Sequence, residues 1–176
     1  VPAHASGPQL LPLVEDRTTR LWCAASGECL RTFEGHEAAV RSAALSPDGR
    51  QLVTASGDDT AKLWCAASGE CLRTLRGHAW FVTSAVFSPD GGRLITASED
   101  RTTRLWCAAS GECLRTFEGH EAAVRSAALS PDGRQLVTAS DDRTARLWCA
   151  ATGECLHTLA GHGDELNSAA FSPEGW

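Results

Sequence analysis

The chain has 176 residues, 43% of them apolar and 22% charged, with a formal net charge of -6 and a pI of about 5.5. That length can bury a core of its own, and no run of about 18 apolar residues offers a membrane-spanning helix. The acidic balance argues against nucleic acid as a partner, because phosphates call for clustered Lys and Arg.

In chain order, residues 1–8 (VPAHASGP) show no apolar pattern and are expected to be disordered. Residues 9–33 read as three short strands, QLLPL, TTRLWC and ECLRTF. A complete unit starts at Gly35. Val40–Leu45 is its first strand, and Ser46-Pro47-Asp48-Gly49 supplies turn chemistry. Gln51–Ala55 follows, then a tight turn at Gly57-Asp58-Asp59, then Ala61–Cys65. Ala67-Ser68-Gly69 fits a three-residue hairpin loop leading into Cys71–Leu75. The pattern then repeats. Gly-His pairs begin at Gly35, Gly77, Gly119 and Gly161, 42 residues apart each time, and Trp22, Trp64, Trp106 and Trp148 keep the same period. Residues 35–76 and 119–160 differ at only six of 42 positions. Four strands per period, repeated, predict the blades of a β-propeller.

The Gly-His start, the SPDG turn, the Asp six residues before Trp and the Leu-Trp ending the third strand resemble the WD40-repeat family along almost the whole chain. One departure is uniform: Trp-Cys stands where the family has Trp-Asp. The resemblance implies an all-β propeller of four-stranded blades. It also implies a hydrogen-bonded tetrad in each: His36/Thr54/Asp58/Trp64, His78/Thr96/Asp100/Trp106 and His120/Thr138/Asp142/Trp148. A fourth set has His162, Asp16 and Trp22, but Pro12 replaces the hydroxyl residue, so this blade is predicted to be the least stable. A His-Asp-Thr set also suggests a catalytic relay. A set that recurs in every blade and ends on an indole reads instead as scaffolding.

The propeller is expected to occupy 9–176, with blades at 35–76, 77–118 and 119–160 and a split blade made of 9–34 plus 161–176. In the split blade, LNSAAF (166–171) supplies the missing first strand. Four blades are few for a family that usually closes with about seven. Two chains pairing as an eight-bladed ring, by symmetric strand exchange, would remove every sheet edge. A closed four-blade monomer and a piece of a larger propeller are the alternatives.

Each hairpin carries two cysteines: Cys23/Cys29, Cys65/Cys71, Cys107/Cys113 and Cys149/Cys155. With a three-residue loop the two would face each other at a Cα separation of about 4.5 Å, which a disulfide accepts. Reduced thiols packed as small apolar residues between blades, cross-strand disulfides and metal ligation all stay open. No secretion signal opens the sequence, which favours reduced thiols in a cytoplasmic, intracellular setting.

Two features point to a partner. The residue after the turn Asp is Arg17, Asp59, Arg101 or Arg143, and a repeated rim Arg suits an acidic partner, solvated turn charge being the plainer reading. Trp80-Phe81 replaces Ala38-Ala39 and Ala122-Ala123, and Trp is a common interface anchor, although the pair could also pack between blades. The leading expectation is a non-catalytic scaffold for proteins or peptides, working as a homodimer, with no cofactor, metal, membrane or nucleic acid. A purely structural or engineered repeat assembly is the alternative. An enzyme is a third reading with little behind it, since neither a phosphate loop nor a metal-ligand cluster occurs.

Overall fold

The computed structural model describes residues 9–12 and 17–173. The segment 1–8 and Asp16, both singled out above, lie outside the described residues. The described residues form fifteen β-strands and no helix, arranged as four antiparallel meanders. The first sheet is β1 (Gln9–Pro12), β2 (Thr19–Trp22) and β3 (Cys29–Phe33). The second is β4 (Val40–Leu45), β5 (Gln51–Ser56), β6 (Ala61–Cys65) and β7 (Cys71–Leu75). The third is β8 (Val82–Phe87), β9 (Arg93–Ser98), β10 (Thr103–Cys107) and β11 (Cys113–Phe117). The fourth is β12 (Val124–Leu129), β13 (Gln135–Ser140), β14 (Ala145–Cys149) and β15 (Cys155–Leu159).

The hydrophobic cores lie between sheets. Phe33 and Leu21 of the first sheet join Leu52 and Trp64 of the second. Val53, Leu63 and Leu75 of the second join Val82, Leu94 and Trp106 of the third. Ile95, Leu105 and Phe117 of the third join Val124, Leu136 and Trp148 of the fourth. A sheet covered on both faces needs a continuous apolar run rather than alternation. β5, β9 and β13 show it, each buried from its second residue to its last. Two of the three seams share one edge-on contact, Phe33 on Trp64 at 5.9 Å and Phe117 on Trp148 at 5.8 Å, and in the middle seam Leu75 takes the place of the Phe in the core with Trp106. A backbone stitch accompanies it. Arg31 donates to the Ser68 carbonyl at 3.0 Å, Arg73 to that of Ala109 at 3.1 Å, and Arg115 to that of Thr152 at 2.7 Å.

The cysteine geometry differs from expectation. The Cys65 N–H donates to the Glu70 carbonyl, and the Gly69 N–H donates to the Cys65 carbonyl. The loop is therefore four residues, Ala66 to Gly69. Gly69 takes φ 79, and a Cβ there would come 3.0 Å from Arg31 Cδ. Cys71 consequently stands opposite Trp64, beyond a bulge, and not opposite Cys65. A one-residue offset reverses faces, so the two thiols of a hairpin diverge. All eight cysteines are free: Cys29, Cys71, Cys113 and Cys155 are exposed, and Cys23, Cys65, Cys107 and Cys149 are half-buried. They do not fill the seams, which belong to Leu, Val and aromatic side chains.

The split blade is a second difference. The first sheet has three strands, and residues 161–173 form no strand. Residues 166–171 lie instead along the fourth sheet, where the Leu166 N–H donates to the Ser140 carbonyl and the Ala169 N–H to Ser126 Oγ, both at 3.1 Å. The latter repeats the bond from the Ala85 N–H to Ser42 Oγ that joins the second and third sheets. The segment thus sits where a next blade's first strand would sit, at the opposite end of the arc from β1. The arc stays open: Leu159 is 50% exposed, whereas its counterpart Leu75 is 2% exposed.

Candidate functional site

Three tetrads are assembled at one rim. The Trp64 indole N–H donates to Thr54 Oγ1 at 2.9 Å, and Thr54 Oγ1 lies 2.7 Å from His36 Nε2. His36 Nδ1 lies 2.7 Å from Asp58. A carboxylate only accepts, so Nδ1 carries the proton, and Nε2 accepts the Thr54 hydroxyl proton. The same chain joins Trp106, Thr96, His78 and Asp100 in the third blade. It joins Trp148, Thr138, His120 and Asp142 in the fourth. Burial pushes His36 and His120 below the ordinary histidine value, outweighing the help of Asp58 and Asp142. Burial opposes ionisation of Asp58, but hydrogen bonds from Thr60, the Glu37 N–H and His36 outweigh it and hold the carboxyl low. The threonine hydroxyl residues are fully buried, so a relay there has no substrate access. Of the fourth set, His162 is exposed at the far end, and Trp22 Nε1 is buried without a partner among the described residues.

By joining His to Asp, each tetrad ties the loop that enters a blade to the turn after its second strand, and the candidate partner residues stand on this composite rim. Arg17, Arg101 and Arg143 are exposed. Asp59, Arg101 and Arg143 take φ of 64, 71 and 66, a left-handed conformation costly to residues with a Cβ. Asp59 is half-buried, and its Oδ1 has no partner among the described residues.

Trp80 and Phe81 play different parts. Phe81 is half-buried, with the Arg41 guanidinium 5.5 Å from its ring centroid. Trp80 stacks on Phe81 at 5.4 Å and is 54% exposed. An open depression of about 500 Å³ beside it is lined by Ala79, Trp80, Glu99, Asp100 and Arg101.

A cluster not foreseen from the sequence explains the difference. β4, β8 and β12 each carry a bulge, at Arg41, Thr83 and Arg125, and bulges re-aim side chains. Arg125 clamps both Asp141 oxygens at 2.8 and 2.5 Å and reaches Glu99 at 3.0 Å. Arg41 has Gly57 where Arg125 has Asp141, so Phe81 of the neighbouring blade takes the place of the missing carboxylate. Pairing residues 41 with 57 and 125 with 141 across the repeats was the available signal.

The family sequence model described as "WD domain, G-beta repeat" matches residues 27–65, 69–107, 111–149 and 153–175. The chain belongs to the WD40-repeat family. Its curated relatives include nuclear distribution proteins PAC1. The one from Arthroderma benhamiae is 46% identical over 48 residues, which is 27% of this chain and 10% of that protein. The one from Mycosarcoma maydis is 49% identical over 35 residues, 20% of this chain and 8% of that protein. The chain thus spans about a tenth of the length of these relatives. WD40 repeats generally serve as protein-interaction scaffolds. Among the described residues no group of His, Cys, Asp and Glu is placed to hold a metal, and no helix is long and apolar enough to cross a membrane.

Proposed function

We propose that this WD40 chain is a non-catalytic scaffold that binds proteins or peptides at the tetrad rim, in an intracellular setting that keeps its eight thiols reduced. One observation carries the reading: Trp80 is 54% exposed, whereas the tetrad tryptophans Trp64, Trp106 and Trp148 are each 2% exposed. A large exposed ring held flat by a stacked neighbour has little left to lose in conformational entropy on binding. Arg17, Asp59, Arg101 and Arg143 complete the contact surface. Selection from a random displayed peptide library tests this. Enriched peptides should bind one per chain and lose affinity on Trp80→Ala. Peptides indifferent to that change would remove Trp80 from the interface, and no enrichment would sink the scaffold reading.

A homodimer in the form of a two-chain ring is favoured by separate observations. Among the described residues the first sheet has three strands where the others have four, and residues 166–171 are a first-strand sequence that forms no strand. Exchange between copies would also bring the exposed Leu159 onto Trp22 of a second copy, as Phe33 meets Trp64. Light scattering should then give 37.4 kDa, twice 18.7 kDa. A mass of one chain would rule the ring out.

A further inference from the structure

The loop into the third blade differs from its counterparts in charge as well as bulk. Glu34-Gly35-His36-Glu37-Ala38-Ala39 enters the second blade, and Glu118-Gly119-His120-Glu121-Ala122-Ala123 enters the fourth. Arg76-Gly77-His78-Ala79-Trp80-Phe81 enters the third. Two glutamates (-2) have given way to one arginine and an alanine (+1) in the one loop that gained aromatic rings. The turn bonded to this loop carries Arg101, where the second blade carries Asp59. Two of these changes, Ala79 for a glutamate and Arg101 for an aspartate, remove negative charge from the lining of the depression beside the exposed indole, whereas Arg76 lies with Glu37, Asp58 and Lys62 of the second blade.

The carboxylates that line the depression are already engaged. Glu99 is held by Arg125 at 3.0 Å. Asp100 accepts from His78 at 2.8 Å, from the Ala79 N–H at 3.0 Å and from the Thr102 hydroxyl at 2.7 Å. Arg101 is exposed and, among the described residues, makes no ion pair. The uncommitted charge around Trp80 is positive, on a chain whose net charge is -6.

We propose that Trp80 and Arg101 form a docking site for an acidic peptide segment. An apolar side chain of the segment covers the indole, and a flanking carboxylate meets the Arg101 guanidinium, whose planar fork suits bidentate pairing. The proposal rests on the scaffold reading above and adds to it the chemistry of the ligand.

Two labelled peptides of equal length test it by fluorescence polarisation at low salt, Glu-Glu-Phe-Glu-Glu and Lys-Lys-Phe-Lys-Lys. The glutamate peptide should bind saturably, lose affinity on added salt, and be lost on Trp80→Ala. Arg101→Glu should weaken it about 10-fold, while Arg101→Lys should keep most of the binding. Arg101→Glu should also gain affinity for the lysine peptide, which guards against a reading by misfolding. If the lysine peptide binds the parent chain as well or better, the charge assignment is wrong. Loss of that binding on Trp80→Ala would leave the anchor standing. Binding of neither peptide would overturn the docking site, while displayed peptides that need Trp80 would still uphold the scaffold.

Discussion

Replacing Thr96 with valine isolates what a tetrad contributes. Thr96 is fully buried, accepts from the Trp106 indole at 2.9 Å and lies 2.7 Å from His78 Nε2. Valine keeps the shape and removes both bonds. The indole N–H and the imidazole Nε2 are then each buried without a partner, at about 1–3 kcal/mol apiece. The added methyl returns about 0.8 kcal/mol, so the net loss is roughly 1–5 kcal/mol, a sizeable share of the ~5–15 kcal/mol that holds a domain together. Urea unfolding measures it as a lowered midpoint at unchanged slope. Thr96→Ser keeps the hydroxyl and sheds one methyl, so it should cost only about 1 kcal/mol. A valine variant within about 0.5 kcal/mol of the parent, or a serine variant worse than valine, would refute the hydrogen-bond account. Among the described residues such an orphan already occurs at Trp22 Nε1, in the blade where Pro12 replaces the hydroxyl residue.

Other expectations follow from the same geometry. Trp106→Ala should cost about 3–5 kcal/mol, since the ring is 2% exposed and lies in the core shared by the second and third sheets; an unchanged melting curve would contradict that placement. Iodoacetamide should modify Cys71 and Cys113 of the native chain without reductant, because both are free and exposed; recovery of a Cys65–Cys71 disulfide peptide would contradict the register. Stability should be full above the ordinary histidine value of 6.5 and fall as pH drops below it, because burial keeps His36 and His120 neutral in the folded chain while the unfolded chain binds protons. The depressed Asp58 carboxyl acts in the same direction, its contribution shrinking as pH falls below the ordinary 3.8. A urea midpoint that rises on acidification from neutrality would mean that the folded histidines take up the proton, against the direction that burial imposes.

The blades and three of the tetrads were legible because a fixed period exposes them: His36, Thr54, Asp58 and Trp64 recur at the same spacing in the next two blades. The cysteine register was not. The CAASGEC string accommodates a three- or a four-residue loop, each with Gly69 in the left-handed region, and the choice depends on backbone bonds between Cys65, Gly69 and Glu70. The role of Phe81 was hidden for another reason. It depends on Gly57 and Arg41 in a neighbouring blade, and on a bulge that turns Arg41 toward it. Residues 166–171 carry the right pattern for a first strand, but pairing is a property of the edge they meet.

The seams have a consequence for how such a chain can change. Each joins the last strand of one blade to the Trp of the next through the same Phe or Leu contact, and an Arg stitches it to the following hairpin. Neighbours are thus interchangeable at this contact, while Arg41 on Phe81 and Arg125 on Glu99 remain particular to their own seams. Adding or deleting 42 codons at a time would preserve the shared contact at each new seam and would have to accommodate only those few seam-specific side chains.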